Sequence, residues 1–404
     1  MRTFLFAPET FNLAETTRMI EVAKACKEDA TCIFMGYSQK FAYLIETAGF
    51  EFYYLTPHLT EQDVTNIMKF DQMKTIRMPF SYEMLMERTQ QELQLIGKIQ
   101  PDCILIGSTI SLFISARVKK IPLVYVKPYA YTRANIESVH FMKASNKYIK
   151  EIMRAFFLQL KWFPRNLKKV IKYYHLEADF NYTIDFFDAD LNCITTPEVL
   201  TKESNLPLGS VYVGPIFAHL NEAIPFTLKK LLKESTVPTI FCSMGSSGNA
   251  KVILSLLHQF KDLPVKVISP MKSFLADKEI EELPENVYIY DWLPALKVQK
   301  MVTASVLHGG EGTIQTACVA GKPFIGIGLQ KEQEYNIAAC VAYGNAVQIK
   351  KSKLRDYEYF KRMLHQLLNE QHYQQRATLL QQELSLINGC KNVRDAVMYL
   401  LEKE

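Results

Sequence analysis

Two glycine-bearing segments of this 404-residue chain are the parts of the sequence best suited to holding an anion. FCSMGSSGN (241–249) and VLHGGEGT (306–313) each begin with an apolar run typical of a strand. Glycine lets a backbone approach a ligand closely, and the free N–H groups that open the next helix favour an anion. Two such turns side by side would suit a diphosphate, whereas either one alone could be an ordinary tight turn. Neither is a P-loop, since the GxxxxGK[ST] pattern is absent.

Three side chains near the second segment add further chemistry. His308 precedes two glycines, so its imidazole N–H could meet a phosphate oxygen, although a strand-end histidine is often bonded within the protein. Glu332 and Gln333 stand at the predicted start of a helix, and a carboxylate beside a carboxamide suits the vicinal hydroxyls of a sugar. The helix dipole offers a second explanation for an acid at that position.

These residues are positioned by short β-rich runs that alternate with helical patterns, which predicts two α/β domains with parallel sheets. The first half ends its strands at LNCITT (191–196), and Pro and Gly punctuate a linker after it. The predicted strands are 2–7, 31–36, 51–56, 101–107, 121–127 and 191–196, then 236–245, 265–269, 286–292, 304–310, 323–328 and 346–349. The predicted domains are 1–208 and 226–386, with a linker at 209–225 and a C-terminal helix at 387–404.

Composition and charge narrow the class of protein. A net charge of +5 on a chain of this length is too small to argue for nucleic acid. The eight cysteines lie far apart, without the spacing of a zinc site, and indicate buried thiols in a reducing compartment. No signal peptide or apolar run long enough to span a membrane is present in the sequence. We therefore expect a cytoplasmic protein, with the inner membrane surface as a further place of action.

Four motifs of the second half, taken in order, resemble the donor-binding signature of GT-B nucleotide-sugar glycosyltransferases. They are DWLP (291–294), HGGEGT (308–313), AGKP (320–323) and EQEYN (332–336). The resemblance is closest to the UDP-glycosyltransferase superfamily and its bacterial macrolide-type members. It implies two Rossmann-like domains facing a cleft, with the acceptor bound by 1–208 and the donor by 226–386. It also implies a metal-independent transferase without a cofactor, and a C-terminal helix at 387–404 that crosses back and packs on the first domain.

Carried over by motif, the resemblance assigns roles to single residues. Trp292 would lie against a uracil or thymine ring, Glu332 and Gln333 would bind the donor sugar, and Asn336 would support that loop. The diphosphate would be held by His308, Gly310 and Thr313 with Ser246 and Ser247. The donor set is completed by Gly245, Leu293, Gly309, Gly312 and Thr316.

Three positions depart from the family pattern. Ala295 replaces a usual glutamine, and Thr316 replaces a glutamate that usually binds both ribose hydroxyls, so UDP and dTDP remain alternatives. Asn12 aligns with the usual histidine or aspartate base, yet an amide cannot accept a proton near neutral pH. Other candidates for the base, by position alone, are Glu9, Glu137 and His140.

The segment 143–174 combines nine basic residues and one acidic residue with aromatic and aliphatic side chains. Such a pattern is typical of a helix that lies on anionic lipid. It also fits an ordinary amphipathic helix whose aromatic side chains are buried. Since this part of a GT-B enzyme receives the acceptor, the segment suggests an apolar or lipid-like acceptor and peripheral membrane contact.

The leading prediction is an inverting glycosyltransferase that moves a hexose from a UDP- or dTDP-sugar to a hydroxyl acceptor. Two alternatives remain at this point. A nucleotide-sugar 2-epimerase would use the same fold but needs carboxylates that the sequence does not place. A donor-binding auxiliary protein that has lost its base would explain Asn12 and Thr316.

Overall fold

The computed structural model describes residues 1–71, 75, 77–138, 147–218, 223–245 and 248–403. The chain divides into two compact units. The first unit consists of Met1–Ala218 and Asn388–Glu404, and the second unit of His219–Ile387. Each contains one parallel sheet with helices, so the predicted pair of parallel α/β domains is confirmed.

The first unit contains a seven-stranded sheet in the order β3-β2-β1-β4-β5-β6-β7, in which every pair is parallel. Its strands are β1 (Arg2–Ala7), β2 (Ala30–Gly36), β3 (Glu51–Tyr54), β4 (Cys103–Ile106), β5 (Leu123–Lys127), β6 (Leu191–Ile194) and β7 (Ser210–Tyr212). Its helices are α1 (Leu13–Cys26), α2 (Ala42–Thr47), α3 (Glu61–Asp71), α4 (Tyr82–Ile99), α5 (Leu112–Lys119), α6 (Arg133–Ser138), α7 (Lys147–Leu158), α8 (Arg165–Tyr173), α9 (Thr183–Phe186) and α10 (Glu198–Thr201), with a C-terminal helix described below.

Strand β7 corrects the expectation that the first sheet ends at 191–196. Its three residues pair with β6 and form the edge of the sheet inside the stretch expected to be a linker. An edge strand is buried less fully than a central one, and all three residues are only half-buried. The sequence therefore lacked the continuous apolar run that marked the other strands.

The second unit contains a six-stranded sheet in the order β10-β9-β8-β11-β12-β13, also parallel throughout. Its strands are β8 (Thr239–Ser243), β9 (Lys266–Ser269), β10 (Val287–Ile289), β11 (Ala304–Leu307), β12 (Phe324–Gly326) and β13 (Ala346–Gln348). Its helices are α11 (Phe226–Glu234), α12 (Ala250–Leu257), α13 (Asp277–Glu281), α14 (Ala295–Gln299), α15 (Glu311–Val319), α16 (Lys331–Tyr343), α17 (Tyr357–Asn369) and α18 (Gln371–Ser385).

Strand β1 shows why the central strands are continuous apolar runs. Leu5 and Ala7 join one buried cluster of the first unit, while Phe4 and Phe6 join another. Successive side chains of a strand point to opposite faces, so the two clusters cover the two faces of the sheet. All four residues are fully buried.

The last helix, α19 (Gly389–Glu402), belongs to the first unit. Val393 and Val397 are fully buried in the same cluster as Phe4 and Phe6. Asn392 donates to the carbonyl oxygen of Val213 at 2.9 Å. The end of the chain therefore completes the core of the first unit.

Candidate functional site

The order of the second sheet brings the two glycine-bearing loops together. Strands β8 and β11 are direct neighbours, with Ser243 paired to Leu307 at their carboxyl ends. From β8 the strand order runs one way to β9 and β10, and from β11 it runs the other way to β12 and β13. The gap between β8 and β11 is therefore the topological switch point, where open α/β sheets bind ligands.

His308 lies between the two loops. Strand β11 ends at Leu307, so His308 stands in the turn and not in the strand predicted over 304–310. A β-carbon at Gly245 would lie 2.4 Å from Cε1 of His308, and one at Gly310 would lie 2.5 Å from its Nε2. The imidazole therefore occupies the space that side chains at both glycines would need.

The imidazole of His308 is buried and neutral. Burial lowers its pKa from 6.5 to about 4, against the opposing effect of a hydrogen bond to the backbone of Ser243. Nδ1 is buried without a hydrogen-bond partner among the described residues. A buried polar atom of this kind is rare in proteins and calls for an explanation, such as a ligand.

Gly309 connects this loop to the acid–amide pair. It has a φ of +92°, which glycine adopts readily, and a β-carbon there would lie 2.7 Å from the carbonyl oxygen of Gln333. Asn336 donates its amide to the carbonyl oxygen of Gly309 at 3.1 Å and to the carboxylate of Glu332. The start of α16 therefore lies directly against the glycine turn after β11.

Glu332 and Gln333 differ in their surroundings. Glu332 is half-buried, while Gln333 is buried and its Oε1 accepts a hydrogen bond from the Leu329 N–H at 3.0 Å. Gln333 thus holds the loop between β12 and α16 in place. The Glu332 carboxylate stands beside it at the same helix start.

Thr316 has a structural role that the sequence did not reveal. Its hydroxyl donates to the carbonyl oxygen of Thr313 and accepts from Nε2 of the fully buried Gln299, each at 2.7 Å. Gln299 lies at the end of α14 and also accepts from Ser305. Because the Thr316 hydroxyl is used within the protein, it is poorly placed to replace a carboxylate that binds ribose.

The remaining predicted donor residues lie around the same edge. Trp292 is 40% exposed and follows β10, while its neighbour Leu293 is buried. Gly312 is exposed in the first turn of α15, Thr313 is half-buried there, and Gly310 is the N-cap of that helix. Ser246 and Ser247 lie outside the described residues.

The candidates for a catalytic base fall into different environments of the first unit. Asn12 is the N-cap of α1, and its Oδ1 accepts from the N–H groups of Ala14 and Glu15 at 3.1 and 3.4 Å. Glu9 is buried and pairs with Arg88 at 2.8 Å. Glu137 is half-buried on α6, and burial raises its pKa. His140 lies outside the described residues.

The structure adds a buried carboxylate that the sequence analysis did not select. Glu15, in the first turn of α1, accepts from the Glu9 N–H at 2.8 Å and from the Ser108 hydroxyl at 2.7 Å. Two features of the sequence pointed to it. Asn12 and Glu15 have the spacing of a helix-capping pair, and Gly107-Ser108 ends a strand as the other glycine turns do.

Residues 255–391 match the family model of the erythromycin biosynthesis protein CIII-like C-terminal domain. This segment includes the loop after β11 and the whole of α16.

Curated relatives extend the likeness over most of the chain. A PGL/p-HBAD biosynthesis rhamnosyltransferase of Mycobacterium tuberculosis is 23% identical over 94% of this chain and 83% of the relative. A PGL/p-HBAD biosynthesis glycosyltransferase of the same species is 23% identical over 87% of this chain and 81% of that protein.

Solved structures share the fold. The kitacinnamycin glycotransferase superposes with a TM-score of 0.73 and 16% identity, covering 99% of each chain. The glycosyltransferase VinC in complex with dTDP superposes with a TM-score of 0.71 and 16% identity over the full length of both chains.

The two parallel-sheet units and the loops at the β8/β11 switch point define a GT-B glycosyltransferase. The family match over residues 255–391, the curated relatives and the solved structures support the UDP-glycosyltransferase superfamily. The resemblance of the four motifs is thus confirmed, and neither the epimerase nor the auxiliary protein is favoured.

Proposed function

We propose that this glycosyltransferase moves a hexose, including a 6-deoxyhexose such as rhamnose, from a UDP- or dTDP-sugar to a hydroxyl of an apolar or lipid-like acceptor, with inversion at the anomeric carbon. The observation that carries the proposal is that three segments meet at the carboxyl ends of β8 and β11. Gly245 lies against His308 of the turn after β11, and Gly309 of that turn lies against the start of α16.

The leaving diphosphate would bind at the N-terminus of α15. This helix has nine residues and begins after Gly310, and the N-terminus of a helix favours an anion through its dipole and its first N–H groups. His308 is neutral and would donate one N–H to a phosphate oxygen while avoiding the cost of a buried charge. Donors fixed in place before the reaction stabilise the charge that develops on the leaving oxygen.

The sugar and the acceptor are proposed from chemistry and from relatives. Glu332, supported by Asn336, offers a carboxylate to sugar hydroxyls at the start of α16. The relatives include a rhamnosyltransferase, and a spinosyn rhamnosyltransferase of the same fold has been solved with the spinosyn aglycone and with thymidine diphosphate. These names support a deoxyhexose donor and an apolar acceptor.

A membrane-facing role for the first unit rests on α7. Its apolar side chains Tyr148, Ile149, Ile152 and Phe156 are exposed by 50–81% and share one face of the helix. In contrast, α8 buries Leu167, Val170 and Ile171 in the core, as an ordinary amphipathic helix does. Exposed basic side chains nearby would attract anionic lipid: Lys161, Arg165, Lys168, Lys169 and Lys172. Within the described residues, no helix is long and apolar enough to cross a bilayer.

Nucleotide binding tests the donor site. We expect UDP or dTDP, but not GDP, to raise the melting temperature, since a ligand at 100 times its Kd adds about 2.7 kcal/mol to the stability of the folded state. His308→Ala should lose most of this shift, whereas His365→Ala, on the exposed face of α17, should keep it. Equal shifts for both variants would place the nucleotide elsewhere.

Transfer itself requires a second assay. Wild-type protein incubated with a panel of UDP- and dTDP-hexoses and a phenolic or long-chain alcohol should release the nucleoside diphosphate and form a glycoside. The anomeric coupling in the product, measured by NMR, should be opposite to that of the donor. Nucleotide binding without transfer to any acceptor would contradict the proposed enzyme, and a retained configuration would contradict inversion.

Vesicle co-sedimentation tests the lipid contact. The protein should bind vesicles that contain an anionic phospholipid more strongly than neutral ones. Ile152→Glu with Phe156→Glu should weaken binding by roughly tenfold or more, because each side chain loses apolar burial. Leu379→Glu, an exposed leucine on α18, serves as the matched control. Unchanged binding of the double variant would remove α7 from the contact.

A further inference from the structure

The first sheet has a switch point of its own, between β1 and β4. Strand order runs from β1 to β2 and β3 on one side, and from β4 to β5, β6 and β7 on the other. Ala7 pairs with Ile106 at the carboxyl ends of the two strands. The residues that follow these ends, Glu9 to Glu15 and Gly107-Ser108, therefore stand where an open α/β sheet binds a ligand.

Glu15 and Ser108 form a hydrogen-bonded pair at this edge. Glu15 is 7% exposed and its Oε2 accepts from the Ser108 hydroxyl at 2.7 Å, while Ser108 itself is exposed. Gly107 makes the contact possible, since a β-carbon there would lie 2.1 Å from Oε1 of Glu15. The exposed hydroxyl of Ser108 thus connects the buried Glu15 carboxylate to the protein surface.

Burial, two hydrogen bonds and two charged groups shift the pKa of Glu15. Burial raises its pKa from 4.5 to about 7, and the hydrogen bonds from the Glu9 N–H and Ser108 oppose this rise. The Glu9 carboxylate raises it further and Arg18, on α1, lowers it. Glu9 is in turn paired with Arg88 of α4, so most of its charge is balanced locally. A group with a pKa near the working pH is well matched to accept a proton.

We propose that Ser108 and Glu15 form the proton relay that activates the acceptor hydroxyl, in place of the side chain missing at Asn12. The acceptor oxygen forms its bond to the anomeric carbon as the bond from that carbon to the diphosphate oxygen breaks. The acceptor proton passes to Oγ of Ser108 while the Ser108 proton passes to Oε2 of Glu15. The reverse relay to water then returns Glu15 to its ionised form.

Asn12 has a different task in this arrangement. Its Oδ1 is engaged with the N–H groups of Ala14 and Glu15, which fixes the first turn of α1. The amide therefore helps to orient the turn that carries Glu15. An N-cap amide of this kind stabilises a helix and takes no proton.

The relay rests on the proposed sugar transfer, and kinetics separates the two. In wild type, kcat/KM should rise with pH through an apparent pKa near 7, because Glu15 must be ionised to accept the proton. Glu15→Gln should lose this rise of kcat/KM with pH, which we call the pH limb. The same variant should have a kcat lower by about 10²–10⁴-fold. Ser108→Ala should lower kcat while keeping the limb, since the carboxyl is still present. Ser108→Thr should restore activity by restoring the hydroxyl.

The control is Glu28→Gln. Glu28 is an exposed carboxylate of the first unit in the turn between α1 and β2, so it lies before the amino end of β2 and not at the carboxyl ends of β1 and β4. It should keep the pH limb and activity within a few-fold. Nucleotide-induced thermal shifts, read in the second unit, should be unchanged in every variant that folds.

Two results overturn different claims. If wild type transfers sugar and both Glu15→Gln and Ser108→Ala keep its rate and pH limb, the relay is wrong and the transferase stands. If wild type transfers no sugar, the proposed function fails and the relay fails with it. Should Glu15→Gln not fold, the loss in Ser108→Ala and its recovery in Ser108→Thr decide the question.

Discussion

At the scale of single residues, glycine decides whether the donor site can exist. Gly309 combines a positive φ with a backbone contact to α16, and Gly245 and Gly310 leave room for one imidazole. A side chain at any of the three would displace His308 or α16. These glycines are required by close contacts, and not only by the turn that each one makes.

Gly309→Ala should destabilise the second unit and Gly312→Ala should not. At Gly309 the added methyl meets a carbonyl oxygen at 2.7 Å on a backbone that alanine rarely adopts, so we expect a loss of about 1–3 kcal/mol. Gly312 is helical with no heavy atom within 4 Å, and alanine there should add about 0.5–1 kcal/mol. Urea denaturation measures both changes, and equal stability of the two variants would contradict the contact.

At the scale of elements, α4 holds the loops of the first switch point in place. It carries Arg88, whose guanidinium lies 3.7 Å from the ring centre of Tyr37 and 2.8 Å from Glu9. It also carries Glu92, which bonds to Tyr37 after β2, to Ser111 at the start of α5 and to Ser115 within that helix. Helix α4 therefore holds the segments that follow β1, β2 and β4, which are neighbours in the sheet.

Arg88→Met should lower the free energy of unfolding by about 3–5 kcal/mol, because it leaves Glu9 buried without a partner. Both side chains of this pair are almost fully buried. Lys24→Met removes an exposed pair with Glu21 in the same unit and should cost less than about 1 kcal/mol. Chemical denaturation compares the two. A loss for Arg88→Met no larger than for the control would show that the ion pair is not needed.

At the scale of the whole molecule, the first unit is built from two distant parts of the chain. Helix α19 packs on α1 and places Val393 and Val397 in the core next to β1. Arg394 adds two hydrogen bonds to Asp29 at 2.7 and 3.0 Å, which lower the pKa of that carboxyl. Removing the last 17 residues would therefore open the core of a unit that begins at residue 1.

Val397→Asp should destabilise the first unit by roughly 3–5 kcal/mol, since it buries a charge without a partner. Arg394→Ala should have a much smaller effect, because that ion pair lies at the surface. The unfolding midpoint of the first unit, followed by hydrogen exchange of β1, is the measurement. An unchanged midpoint for Val397→Asp would mean that α19 does not dock on this core.

The sequence was informative wherever burial leaves a periodic pattern. β1 has the bounds that were predicted, because its apolar residues form the continuous run of a buried strand. β7 was missed because an edge strand leaves no such pattern. His308 was predicted to lie in a strand over 304–310, but β11 ends at Leu307, the residue before it. The residue types at a strand end and in a turn are the same, so the sequence did not show where the strand stops.

By itself, the sequence determined the alternation of elements and the glycines of the donor loops, and its four motifs carried the resemblance to the superfamily. The alternation and the glycines follow from local spacing, which the chain carries without folding. Tertiary structure alone decided that Thr316 is bound by Gln299, that Glu9 is paired with Arg88, and that Glu15 meets Ser108. Each of these contacts joins residues 17–93 positions apart, and hydrogen bonding and burial at that range depend on strand order, which no local pattern records.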